Sequence, residues 1–238
     1  MLTGTISVGG RTAQWWFTDR TGGESTGVYG SRNLAAHVGD DPVAVRANRE
    51  NLAKELGLPA ISWMGPVHGV DIAVLSRAAA LTPNVDALAT AEAQTPIATL
   101  GADCVPVLIV ARDLIVAAHV GWQGFVDGMA DQLLALFKGR DIDPREAHVV
   151  LGPAICGSCY PIPVQRAERI AQASLAASVI AANGEPGADI RLGLADQWTA
   201  QGARVEIVGG CTHEDGAFFS HRRDGVTGRQ AGVIAWMN

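Results

Sequence analysis

Lysine is scarce in this 238-residue chain, no block of like charge runs through it, and 24 acidic residues outnumber 18 basic ones. A net charge of -6 with no basic stripe is the wrong electrostatics for gripping a phosphodiester backbone, so nucleic acid is not an expected partner. No apolar run approaches the roughly 18 residues of a membrane-spanning helix. The opening residues, MLTGTISVGG, lack the basic and apolar regions of a signal peptide. A cytoplasmic protein with no membrane partner is the expectation. Internal repeats, low-complexity tracts and long linkers are absent as well. Cysteine is limited to Cys104, Cys156, Cys159 and Cys211. In a reducing compartment these read as ligands, catalytic groups or small buried hydrophobes before they read as disulfides.

What is present is apolar: 48% of residues are hydrophobic and 18% charged. A chain of this length buries about 70% of its unfolded surface, so neither a disulfide nor a metal is needed for it to fold. One domain spanning 1–238 is expected. Thr18 to Gly30 is polar and glycine-rich and reads as a loop. Asp40-Asp41-Pro42 is a helix start, with a carboxylate cap and Pro in the first turn. Val45, Leu52 and Leu56 then share a face, and Gly57 ends the run. Short strands are expected over Ala60–Trp63 and Asp71–Leu75, flanking the loop that carries His68. The apolar stretch Ile97–Val110 is broken once, at Gly101-Ala102-Asp103-Cys104. Ile115–His119 is a strand that turns at Gly121 into a helix carrying Phe125, Met129, Leu133 and Leu136. Further strands are expected at Val149–Leu151, Val205–Val208 and Gly232–Met237, with helices over 164–182 and 189–201. Without strict βαβ alternation this mixture predicts an α+β fold, with mixed β-sheets flanked by helices. Trp15, Trp16, Trp63 and Trp198 are expected in or around the core.

Four constellations could carry chemistry. His68, Cys104 and His119 each sit at a strand end or loop beside glycine, where sites are built on rigid scaffolds. Two imidazoles and a thiolate suit zinc, and three protein ligands leave a fourth position for water, the pattern of a catalytic site. Asp103 stands next to Cys104 and could orient a ligand or carry protons. The separations match no compact zinc motif, so spacing alone favours reading the three as unrelated residues. Cys156-Gly157-Ser158-Cys159 is a lone CxxC, readable as a redox pair or as half of a structural zinc site. Cys211 and His213 would complete a zinc site of the right ligand types, but Cys-x-His is unusually short, which favours buried thiols in a tight loop that activity does not need. Arg222 and Arg223, beside Ser220 and Gly225, could clamp a phosphate or carboxylate, or could pair with Asp215 or Asp224. Arg32 and Asn33, ahead of the first helix, could touch substrate, although the segment by itself favours a surface turn.

Taken together, these segments resemble one family, the bacterial laccase-domain proteins, whose members are named polyphenol oxidase, purine nucleoside phosphorylase or peptidoglycan editing factor. The resemblance rests on Asn33-Leu34 with His37 to Asp41, Val67-His68-Gly69, and Ala102 to Leu108. It continues through Ala118 to Trp122, Gly152 to Ile155 with Cys159-Tyr160, and Phe219 to Gly225 with Thr227-Gly228-Arg229, all in family order. It implies His68, Cys104 and His119 as metal ligands at the bottom of a cleft, with Asp103 beside them as a catalytic group. Zinc is the expected metal, one per chain, and copper the alternative. The implied substrates are purine nucleosides and phosphate, with Arg32, Asn33, Gln123, Arg222 and Arg223 as substrate contacts. Nothing in the sequence demands an oligomer, so a monomer is the expectation. The implied activity is nucleoside phosphorolysis with adenosine deamination. Copper-dependent oxidation of phenols, or a cysteine hydrolase editing a cell-wall precursor, are the alternatives. The chain departs from the family at Pro66, at Ala102 and at Gln123. Gln123 stands where Arg is usual, which removes an anion contact.

Overall fold

The computed structural model describes residues 1–77 and 83–237. The chain opens with a hairpin, β1 (Leu2–Val8) and β2 (Arg11–Phe17), joined by Gly9-Gly10. Both glycines have positive φ, 59° and 80°, as a two-residue turn matched to strand twist requires. The sequence reading missed this hairpin, because the Thr, Gly and Ser of β1 carry little apolar signal. After the loop comes α1 (Pro42–Glu55), whose Asp41 cap accepts the Val43 N–H at 2.9 Å. Its buried face carries Val45, Asn48 and Leu52, and Gly57 follows at φ 65°.

β3 (Ser62–Trp63) and β4 (Ile72–Leu75) flank the His68 loop as expected, and β5 (Ala87–Thr90) was not foreseen. The long apolar stretch divides into β6 (Ile97–Gly101) and β7 (Val105–Ala111), followed by β8 (Leu114–Val120). The turn at Gly121 starts α2 (Trp122–Val126), and Gly128 at φ 91° separates it from α3 (Met129–Lys138). Then come β9 (Ala147–Leu151) and α4 (Val164–Ala173). The helix expected over 164–182 stops at Ala173. Ser174 turns extended there, its hydroxyl donating to Asp196 at 2.7 Å and accepting from the Ala176 N–H. The remainder forms a small pair, β10 (Ser178–Ile180) with β11 (Pro186–Ala188). α5 (Ile190–Ala200), β12 (Arg204–Ile207), the single turn α6 (His221–Asp224) and β13 (Gln230–Met237) complete the chain.

Two mixed sheets form the body. One has the order β1-β2-β13-β6-β3, the other β12-β9-β7-β8-β5-β4. Parallel pairs β3 with β6, β4 with β5, and β12 with β9 join an otherwise antiparallel scheme. This is the expected α+β architecture. Every residue of β7 and β8 is buried, because both faces of the six-stranded sheet are covered. Leu108, Val110, Ile115 and Ala117 face Trp15, Phe17, Ile234 and Trp236 of the other sheet. Val107, Ile109, Val116 and Ala118 pack with Phe125, Met129, Leu133, Phe137 and Trp198 of the helices. Two apolar faces explain why these strands read as continuous hydrophobic runs rather than alternating ones. Trp15, Trp16, Trp63 and Trp198 are all buried. The break at Gly101–Cys104 is where the chain leaves one sheet for the other. Among the described residues, no helix is long and apolar enough to cross a membrane.

Candidate metal centre

The break between sheets carries Cys104. Asp103, just before it, holds φ 90°, an uncommon conformation for a side-chain-bearing residue that here is fixed from outside. Its carboxylate accepts from Thr212 Oγ1 at 2.7 Å and from the Arg222 N–H at 2.6 Å, and its carbonyl accepts the Ile155 N–H at 3.0 Å. His119 lies on β8, which pairs with β7 through Pro106 and His119, so strand register brings it to the thiol. His68 sits in the loop between β3 and β4, at φ 62°.

One residue joins these parts, and the sequence reading missed it. Asp86, immediately before β5, is fully buried. Its carboxylate accepts the backbone N–H groups of Val67, His68 and Gly69 at 3.2, 3.0 and 2.7 Å, and lies 2.9 Å from His119 Nδ1. The Asp86 carbonyl accepts the His119 N–H at 2.8 Å. Burial opposes its ionisation, but the His119 hydrogen bond and the backbone donors outweigh that and hold its carboxyl below the usual range. Facing an ionised carboxylate, His119 carries a proton on Nδ1, which leaves Nε2 for the Cys104 side. Nothing in sequence marks this aspartate, since the donors it gathers lie 17–19 residues away and the imidazole 33 residues away.

The donor atoms of His68, Cys104 and His119 lie within 4.8 Å of one another, with the two imidazoles edge-on at 4.8 Å between centroids. His119 is buried, Cys104 half-buried and His68 exposed. Burial resists a thiolate at Cys104, but the charge and hydrogen bond of His119, with His68 adding to both, pull its pKa down to about 6. For His119 burial resists the charged form, and Cys104 and Asp86 overcome it, raising the imidazole to about 9. A soft anionic donor and two imidazoles fit zinc or copper. The space between them is kept by Gly121, the cap of α2, where a Cβ would stand 3.0 Å from both Cys104 Sγ and His68 Nδ1. One turn on, a Cβ at Gly124 would meet the Gly69 carbonyl at 2.9 Å. The two glycines let this helix start close against the His68 loop.

His68, Asp103 and Cys104 line a cleft of about 520 Å³, together with Gln123, Tyr160, Arg166 and Arg222. The Arg222 guanidinium lies over the Tyr160 ring at 4.9 Å, and that of Arg166 over Trp122 at 4.2 Å. The other expected substrate contacts lie elsewhere. Arg223 chelates Asp224 at 2.8 Å through two nitrogens and donates to the carbonyls of Thr212, His213, Asp215 and Phe218. That is the ion-pair alternative raised by the sequence. Arg32 pairs with Glu55 at 2.8 Å. Asn33 is buried and spends its amide on Ala35, Asp40 and the Arg229 N–H. Arg166 is the cleft arginine that sequence did not single out. It lies on α4 with no motif around it, and only the packing of α4 against α2 places it there.

Residues 14–237 match the family model described as multi-copper polyphenol oxidoreductase laccase. A Streptomyces griseus protein named purine nucleoside phosphorylase ORF3 is 40% identical over 235 residues, covering 95% of each chain. The Escherichia coli protein named purine nucleoside phosphorylase YfiH is 35% identical, over 92% of this chain and 91% of its own. The crystal structure of YlmD from Geobacillus stearothermophilus superposes with a TM-score of 0.85 at 33% identity, over 96% and 93% of the two chains. With the family model spanning nearly the whole chain and relatives above 30% identity along its length, this protein belongs to the multi-copper polyphenol oxidoreductase laccase family.

Proposed function

We propose that this protein is a zinc-dependent purine nucleoside phosphorylase that also deaminates adenosine, with His68, Cys104 and His119 holding the metal. The observation that carries this reading is the convergence of one thiol and two imidazoles on a cleft whose wall holds a carboxylate and two arginines. The names of the relatives point the same way. A volume of about 520 Å³ is of small-molecule size.

When bound, zinc supplies a Lewis acid with an open coordination position. The rest of the chemistry is assigned to the chain's own residues. Asp86 fixes the ring of His119. Asp103, its carboxylate steadied by Thr212 and the Arg222 N–H, is the proton carrier for deamination. Arg222 and Arg166, braced on Tyr160 and Trp122, are the donors that hold phosphate, in place of the Arg32 and Arg223 suggested by sequence. Gln123 contributes a neutral contact where family members carry a charged one. A cytoplasmic monomer, meeting nucleoside and phosphate as free metabolites, completes the reading.

Product chromatography tests it. Zinc-loaded protein should convert adenosine to inosine without phosphate, and should release free base and ribose 1-phosphate across a phosphate series. Phenol oxidation by the copper form, with no nucleoside turnover by either form, would favour the oxidase that the family description names. Activity on a cell-wall precursor alone, abolished in Cys104→Ser with metal retained, would favour a cysteine hydrolase.

A further inference from the structure

We propose that Cys156, Cys159, Cys211 and Glu214 form a second metal site, a zinc clasp that ties the loop after β9 to the loop after β12. From sequence the CxxC reads as a pair of buried thiols. The structure instead leaves Cys156 and Cys159 half-buried, brings Cys211 to them, and adds Glu214 in place of His213. All four cysteines are free thiols, and the four donor atoms of this group lie within 4.8 Å of one another.

The backbone builds the cluster. β9 and β12 run parallel, and their pairing continues past both strand ends as a bridge between Ala154 and Cys211. The Thr212 N–H donates to the Ala154 carbonyl at 3.1 Å. This sets Cys211 beside the following loop, where the Cys156 N–H donates to its sulfur at 3.3 Å. A single 3-10 turn, Gly157–Cys159, then brings Cys159 back, its N–H bonded to the Cys156 carbonyl. Gly157 is required in that turn, because a Cβ there would come within 2.4 Å of Val179.

Three thiolates and a carboxylate are a zinc donor set. Zn–S bonds of about 2.3 Å in a tetrahedron put sulfurs about 3.8 Å apart, about an ångström inside the 4.8 Å that bounds the donor separations here. A disulfide would use two of the three sulfurs and give the third, and Glu214, no role. Binding releases the thiol protons to solvent as the metal takes their place. The clasp is separate from the His68–Cys104–His119 group but bears on it. The loops it joins are those whose Ile155 N–H and Thr212 hydroxyl hold Asp103.

The chain has four cysteines in all, so Cys104→Ala leaves only these three thiols. The experiment uses that variant, full length and prepared anaerobically with zinc. Elemental analysis should find one zinc that survives in Cys104→Ala and is lost when Cys211→Ser is added. Glu214→Ala should weaken the site tenfold or more in a chelator competition. Cobalt replacing zinc in Cys104→Ala should show a thiolate-to-cobalt charge-transfer band, a readout that needs no further variant should Cys211→Ser fail to fold. Cys104→Ala with no zinc and no such band would overturn the proposal. So would a disulfide among the three by thiol counting, or zinc that persists without Cys211.

Discussion

Asp86 Oδ1 lies 2.9 Å from Nδ1 of His119 and accepts the His68 N–H at 3.0 Å, so one carboxylate orients both imidazole-bearing segments of the candidate metal centre. Its second oxygen takes the N–H groups of Val67 and Gly69. An amide has one acceptor oxygen, so in Asp86→Asn an NH₂ must face backbone donors whichever way it turns. We expect a stability loss of about 2–4 kcal/mol from unmatched buried donors, and metal affinity at the His68 site lower by about 10–100-fold. Denaturant titration and zinc competition check the two effects separately. Wild-type affinity in a folded variant would remove Asp86 from this role.

Gly121→Ala isolates the space between the proposed ligands. The backbone there, at φ -83° and ψ 178°, is open to any residue, so only the added methyl acts, 3.0 Å from Cys104 Sγ and His68 Nδ1. A folded protein with metal affinity at this site reduced roughly tenfold, or about 1.4 kcal/mol, is the expected outcome of a chelator competition.

In metal-free protein, Cys104 should alkylate with a rate that reaches half its plateau near pH 6, far below the ordinary thiol value of 9.0. The linkage has a definite sign. A depressed thiol pKa stabilises the fold fully above 9.0 and loses that contribution as pH falls through about 6. The raised imidazole pKa contributes fully below 6.5 and is lost as pH rises through about 9. The charged pair therefore exists between about 6 and 9. His119→Gln should move the alkylation midpoint up towards 9, and bound zinc should suppress labelling. Mass spectrometry of the Cys104 peptide reads all three.

Gln123 is exposed and lines the cleft that holds Arg166 and Arg222. Gln123→Arg adds a third guanidinium for an oxyanion, and we expect KM for phosphate to fall roughly tenfold, with deamination in phosphate-free buffer little changed. An unaltered phosphate dependence would place the phosphate elsewhere.

Local chemistry made much of this protein readable. Pro42 and Asp41 mark the start of α1, the doubly apolar runs mark β7 and β8, and glycines mark the turns at 57 and 121. The residue types of His68, Cys104 and His119 suggested a metal before any fold was known, because ligand chemistry belongs to the side chain itself. Whether a side chain reaches the site is another matter, decided by partners far away in sequence. Arg222 and Arg223 are neighbours of the same type, yet one lines the cleft and the other is spent on Asp224 and four carbonyls. Asp86 carries no motif, and Glu214 and Cys211 meet the CxxC only because β9 and β12 pair in parallel. Register between strands sets these meetings, and register is fixed by burying both faces of the six-stranded sheet at once, a condition that exists only in the folded chain.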